Sequence, residues 1–378
     1  MSFSLADVSF LTAHRTRINE IAPEIALTKE SVFADRAVLE REFGDVARAV
    51  SELVSAQRMG AGKFPSDWLS DVDAAQQATP RAVSDVRAAR IASSGYSVVH
   101  DVTCSIGSEA PAFMGRGVSW IGSDLDMVRL RMAQANLGEG AWLARADALA
   151  PVSSDAVIVA DPARRTDGRR ITDPAKLMPP LPDLLYANTG RPMAVKCAPG
   201  IDYSAWEGLV SVVSVDGGVK EACLYTEHFG SGREAVVLRG DFQERVASDE
   251  PDEVRSGDPG TFIIEPDGAI VRAGLVAHWA ARHGLWMLDP HIAFCTGDAL
   301  PEGYSGFRFI EAVPLKKLKQ ALTAHKSGAV EILVRGVDVD PDQLRAKLKL
   351  RGSESMAVVI ARVGDTAVAH ICAARESA

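Results

Sequence analysis

Four aspartates stand where short apolar runs end: Asp101, Asp124, Asp147 and Asp161. Asp101 opens Asp101-Val-Thr-Cys-Ser-Ile-Gly-Ser108, after a β-branched run and before a helical pattern. An acid there can hold a cationic amino group, and small residues after it let a ligand approach the backbone. Asp124 lies in Trp120-Ile-Gly-Ser-Asp-Leu-Asp126, 17 residues after Gly107, where a carboxylate can accept both hydroxyls of a ribose. Asp147, in Ala146-Asp-Ala148, is placed to take the amino group of an adenine. Asp161 begins Asp161-Pro-Ala-Arg-Arg165, a carboxylate and rigid turn that can accept the N–H of a base or amine and aim its lone pair. Taken singly, such acids are usually helix caps. Four of them at the ends of four successive runs point to one ligand site.

The loop after Asp101 has a single glycine, Gly107, in place of the G-x-G-x-x-G that cradles a pyrophosphate, and its carboxylate would repel phosphate. The implied cofactor is a nucleoside that carries positive charge and no phosphate, which excludes a dehydrogenase. Arg164, Arg165, Arg169 and Arg170 crowd around Gly168, and read either as phosphate contacts or as a solvated loop. Cys197, in Val195-Lys-Cys-Ala-Pro-Gly200, is a conceivable nucleophile for pyrimidine C5. The sequence offers it no partner base, so a packed thiol is expected.

The elements that must position these residues follow from periodicity. Residues 1–95 read as a helical domain, with apolar spacings of three and four through Val32, Phe33, Ala37, Val38, Leu39 and Phe43, then Val46, Val50, Leu53 and Val54. Gly44 is a break between them and 57–65 a turn; a further helix starts with Thr79 as N-cap and Pro80 as its first residue. Residues 96–240 change character. Strands are expected at 97–102, 118–121, 141–143, 156–160, 193–197 and 210–215, alternating with helices, which is the pattern of a parallel sheet. A hairpin of 222–227 with 234–239 should close it. Residues 241–260 hold seven acidic residues, two basic ones and two prolines, and read as a linker. Residues 261–378 form a third domain. It opens with a strand–turn–strand at 262–271 and a helix through Ala277, Ala280 and Ala281. Then come the helix 314–323, the strand 329–334, the helix 341–350 and strands at 357–362 and 367–371.

Composition sets the outer bounds. A 378-residue chain with 47% hydrophobic and 24% charged residues suits two or three soluble domains. No run approaches the ~20 apolar residues of a membrane helix, and the first residues lack a secretory signal pattern, so a cytoplasmic protein is expected. The five scattered cysteines form no C-x-x-C and the eight histidines no H-E-x-x-H, so neither a disulfide frame nor a metal is expected. A net charge of −9 argues against a chain that coats nucleic acid over its whole surface. Yet residues 305–351 carry ten Lys or Arg against five Asp or Glu, a locally basic module on an acidic chain.

The order and spacing of the strand-end acids resemble the class I S-adenosylmethionine (SAM)-dependent methyltransferases. The resemblance implies an α/β Rossmann-like sheet, SAM as cofactor, and methyl transfer. On it Asp101 and Gly107 frame the methionine end, Asp124 binds ribose and Asp147 adenine, with Thr103, Cys104, Ser105, Leu125, Ala148 and Asp161 lining the same site. Asp161, Pro162 and Arg164 are the implied catalytic residues. Many members have glycine where this chain has Ser105, and the Asp-Pro-Ala-Arg segment lacks the second proline and the aromatic residue of base methyltransferases. A nitrogen acceptor is favoured slightly over carbon or oxygen.

The flanking segments extend the resemblance over nearly the whole chain. Phe307–Leu322, Val330–Gly336 and Leu344–Gly352 are similar to the α+β THUMP-like domain appended to one bacterial methyltransferase group. Lys63-Phe-Pro-Ser-Asp-Trp68, Gln76–Pro80 and Arg87-Ala-Ala-Arg90 are similar to that group's helical lead-in. THUMP domains accompany RNA modification, which implies RNA as partner, tRNA or rRNA. Arg165, Arg169, Arg170, Lys316, Lys317, Lys319, Lys347 and Lys349 are then the expected phosphate contacts, with Lys326, Arg335 and Arg351 nearby. The bland reading of the lysines is a polar helix face. The alternatives in function are methylation of a small molecule or protein, or SAM and RNA binding without catalysis.

Overall fold

The structure, a computed structural model, describes residues 3–162, 165–166, 169–170 and 173–378; of 165–166 and 169–170 it describes the backbone, paired as two short antiparallel strands. The chain divides into two compact units, residues 1–211 with 220–231, and 212–219 with 232–378. Among the described residues no helix is long and apolar enough to cross a membrane.

In the first unit the strands Val98–Asp101, Ser119–Asp124, Trp142–Arg145 and Val157–Ala160 pair in parallel, the first lying between the second and the fourth. Val157–Ala160 is buried throughout, as a strand covered on both faces must be, and its run of β-branched residues suits that place. Met193–Cys197 adds in parallel beside it, and residues 222–225 add antiparallel beside that. The order of strands therefore reverses between the first and the fourth. A sheet of this kind opens a crevice at the carboxyl ends of the strands there, and Asp101 and Asp161 stand at those two ends.

Helices of the lead-in are built into the same unit. Val32–Phe43 and Ala47–Met59 bury Leu39, Phe43, Val50, Leu53 and Val54, while Gly44 breaks them at φ 56° and Phe33 stays exposed. Their core includes Ile106 of the loop after Asp101 and Met132 of the helix Met127–Leu137. Asn136 fixes the join: its Oδ1 accepts from the Leu69 N–H at 2.7 Å, and its Nδ2 donates to the Leu69 and Ile106 carbonyls. The helix expected to begin at Pro80 runs Arg81–Ser93 with Pro80 as N-cap. Thr79 does not cap it; its hydroxyl donates to Glu221 instead.

The second unit holds a seven-stranded sheet in the order Trp286–Asp289, Ile292–Gly297, Phe262–Ile264, Ser305–Pro314, Thr366–Ser377, Glu354–Val363, Ser327–Arg335. Alternate residues serve two cores. Val358 and Ile360 pack with Leu318, Leu322 and Leu348 of the helices Leu318–Ala324 and Pro341–Leu348, while Ala357, Val359 and Ala361 pack with Phe294 and Phe307. Gly352 passes so close to the Lys326 carbonyl that a Cβ would lie 1.7 Å from it, so no larger residue fits there.

Two expectations change in form. The hairpin of 222–227 with 234–239 does not occur: Gly232–Arg239 pairs with Phe242–Ala247, a strand inside the expected linker, 222–225 pair with Met193–Cys197, and neither is a neighbour of the other in the sheet. The tight turn is instead Asp216-Gly217, both at positive φ, which joins Leu209–Val215 to Gly218–Tyr225. The expected strand–turn–strand at 262–271 is a strand and a helix. Asp267 accepts from the Ala269 N–H and so starts the helix Gly268–Ala273.

Candidate active site

Hydrogen bonds between strand ends build the crevice. The Thr103 hydroxyl accepts from the Asp161 backbone N–H at 2.7 Å, and the Asp101 carboxylate accepts from the Thr103 N–H at 3.2 Å. These bonds tie the first strand's loop to the fourth strand's end. Asp124 ties the second: one carboxylate oxygen accepts from the Ser105 N–H and the other from the Asp126 N–H, each at 2.9 Å. The cap of the following helix is Asp126, which accepts from the Val128 N–H, so Asp124 is not the helix cap. Ser105 and Gly107 hold the loop at φ 49° and 81°. Asp147 is exposed and accepts from the Leu149 N–H, one residue beyond Ala146, whose own N–H donates to the Asp124 carbonyl. Leu125 is 61% exposed beside Asp124, and Ala148 is buried.

Asp161 is held by a side chain that sequence reading passed over. The Lys196 ammonium, 5% exposed, lies 2.8 Å from its carboxylate and 3.1 Å from that of Glu109. Behind it Arg87 bonds both Glu109 and Glu221, all three of them buried, and the Ser84 hydroxyl donates to Glu109. Burial alone would raise the Glu109 carboxyl, but Arg87 and Lys196 beside it bring it down to about 2. Lys196 gains a proton affinity well above the ordinary: burial opposes its charge, and Asp161 and Glu109 more than restore it. Among the described residues Asp101 has no such partner within bonding distance, and burial, reinforced by Glu109 and Asp161 against the pull of Lys196, pushes its carboxyl up to about 7.

Comparison with known proteins places this geometry. An uncharacterized S-adenosylmethionine-dependent methyltransferase of Mycobacterium tuberculosis, found in two strains, is 46% identical over 356 residues, 89% of this chain and 98% of the relative. The chain belongs to the SAM-dependent methyltransferase family. A crystal structure from Porphyromonas gingivalis, assigned as a methyltransferase, has the same fold over the full length of both chains, with a TM-score of 0.71 at 17% identity. Residues 305–374 match the THUMP-like family, described as THUMP domain-like.

The residues of this methyltransferase fit SAM by their chemistry. The crevice offers carboxylates and small residues to a cofactor with a cationic amino group, a sulfonium and ribose hydroxyls. The Cys104 side chain is buried in the core that includes Ala88, Phe113 and Trp120, its thiol donating to the Ser105 carbonyl at 3.8 Å. Pro162 is buried next to Asp161. Arg164 lies outside the described residues, as do the side chains of Arg165, Arg169 and Arg170. Cys197 is a buried thiol.

In the THUMP-like segment Lys316, Lys317, Lys319, Lys326, Lys347, Lys349 and Arg351 are all exposed, and none is paired with a carboxylate among the described residues. Arg335 differs: it bonds Glu265 at 2.9 Å and lies over the Phe294 ring. The missed residues did leave a signal. Lys196 interrupts an otherwise apolar strand, and Arg87 falls in register with Val83 and Ile91 on the buried face of its helix.

Proposed function

We propose that this methyltransferase acts on RNA, at a base of tRNA or rRNA. The observation that carries the reading is the row of exposed, unpaired lysines on the THUMP-like segment of a chain that is otherwise acidic. Lysines free of carboxylate partners can neutralise phosphates, and an acidic remainder confines the RNA to that surface. Few aromatic side chains are exposed there, which favours recognition of backbone and shape over stacking. The same reading takes residues 1–95 as a lead-in, 96–240 as the cofactor part, and the chain as cytoplasmic.

SAM bound in the crevice supplies an electrophilic methyl group on a sulfonium. Asp101 takes its amino group, with Thr103, Ser105 and Gly107 around the methionine end. Asp124 accepts the ribose hydroxyls with the lone pairs its backbone bonds leave over. Leu125 and Ala148 flank the adenine and Asp147 accepts its amino group. Asp161 accepts an N–H of the acceptor and turns the neighbouring lone pair toward the methyl; Pro162 stiffens the turn beneath it. Holding the two reacting atoms about 3–3.5 Å apart and in line accounts for most of the rate.

The test is transfer of labelled methyl from SAM into fractions of cellular RNA, protein and metabolites, with Asp161→Asn as control. Label in an RNA fraction, reduced at least about 100-fold in the variant while SAM still binds, is the expected result. Label confined to protein or metabolites would remove RNA from the reading. Undiminished label with Asp161→Asn would remove Asp161.

A further inference from the structure

We infer that Lys196 is a positioning residue of the transfer site: its ammonium, clamped between Glu109 and Asp161, fixes the Asp161 carboxylate as a hydrogen-bond acceptor. The inference rests on the reading of Asp161 above and deepens it.

Three observations carry it. Lys196 is buried, yet one of its two partners is the partly exposed carboxylate at the crevice, where Asp161 keeps 22% of its side-chain surface. Glu109 does not require the lysine, for Arg87 and Ser84 already donate three hydrogen bonds to it. And a buried charge pair is a poor device for stability alone, since an apolar residue of similar volume usually serves as well or better. The lysine is explained by what it does to Asp161. Its own partner Glu109 is immobilised from behind, through Arg87 to Glu221. A carboxylate pinned through two links to a helix and a neighbouring strand cannot swing away from the acceptor.

The clamp also decides where protons reside. Among the described residues the charged groups around Asp161 include Lys196 from Met193–Cys197, Asp101 from Val98–Asp101 and Glu109 before Ala110–Met114, with Arg87 and Glu221 behind. Lys196, held by two carboxylates, stays an ammonium and takes no proton from the acceptor. Without it, Asp161 faces the carboxylates of Asp101 and Glu109 with one positive charge fewer, and it takes up a proton at higher pH.

The experiment uses the full chain with aspartate carboxyls labelled with carbon-13, the Asp161 signal being identified by its loss in Asp161→Asn. In Lys196→Met that signal titrates at least about one unit higher than in the wild type. With saturating SAM, methyl transfer to total cellular RNA falls about 100-fold, and the residual rate follows the displaced carboxyl on the acid side of the pH profile. Lys196→Met/Glu109→Gln removes one carboxylate charge together with the cation, keeps the fold, and shows a titration displaced in the same direction. A carboxyl titration that does not move in either variant overturns the inference. Wild-type transfer by Asp161→Asn overturns the Asp161 reading and this inference with it. Transfer lost in Asp161→Asn beside an unmoved titration in Lys196→Met overturns this inference alone.

Discussion

Burial, with Glu109 and Asp161 nearby, outweighs Lys196 and the Thr103 N–H and raises the Asp101 carboxyl from 3.8 to about 7. A neutral acid cannot hold an ammonium, so on the proposed contact SAM selects the ionised form of Asp101 and its binding expels a proton. SAM affinity should rise about tenfold from pH 6 to pH 8 and then level off. Calorimetry in two buffers of different ionisation heat reads the proton directly; a flat profile would refute the Asp101 contact. The same shift has a second effect. Because the folded value lies above the unfolded one, the cofactor-free fold loses stability as pH climbs through about 4 to 7, and bound SAM restores it. At this scale the acids were legible, since a carboxylate ending a strand leaves a local pattern. Ser105 was legible as a departure but not its consequence: a non-glycine at φ 49° whose N–H is aimed at Asp124. Lys196 was not, because Glu109 is 87 residues away and no spacing connects them.

Elements carry the buried charges. The helix Arg81–Ser93 turns Arg87 inward between Glu109 and Glu221, and all three lie in the core of the first unit. Arg87→Met leaves two carboxylates there without their main cation. It should destabilise the fold by about 3–5 kcal/mol, lowering the melting temperature on the order of 10 °C. A melting shift of a degree or two would mean that Lys196 and water neutralise Glu109 and Glu221 unaided. The parallel strands were legible from their β-branched runs, Met193–Cys197 to the residue. The terminal hairpin was not. Glycines at 230 and 232 suggested a turn between paired strands, while the tighter Asp216-Gly217 turn had already set the pairing. Asp267-Gly268 likewise looked like a strand turn; the Asp267 side chain bonds forward to a backbone N–H and begins a helix.

Charge and chain path belong to the whole molecule. On the proposed RNA reading, a net charge of −9 with a basic window at 305–351 makes binding weak, salt-sensitive and confined to one segment. Replacing Lys316, Lys317 and Lys319 together by Ala should weaken RNA binding and reduce the slope of log affinity against log salt by about two. Gel shift or anisotropy at several salt concentrations measures it, and an unchanged slope would show that these lysines touch no phosphate. The three-part division of the sequence reads differently in space. The lead-in helices share a core with the loop after Asp101, and the first unit reclaims residues 220–231 after the chain has already entered the second. That interleaving orders events on the ribosome. Arg87 emerges 22 residues before Glu109 but 134 before Glu221, so at cellular rates of synthesis it waits roughly 7–27 s for its second carboxylate. A nascent chain halted between residues 109 and 221 exposes a half-neutralised arginine and an unclosed sheet, which makes the middle third of translation the interval in which this protein most needs a chaperone.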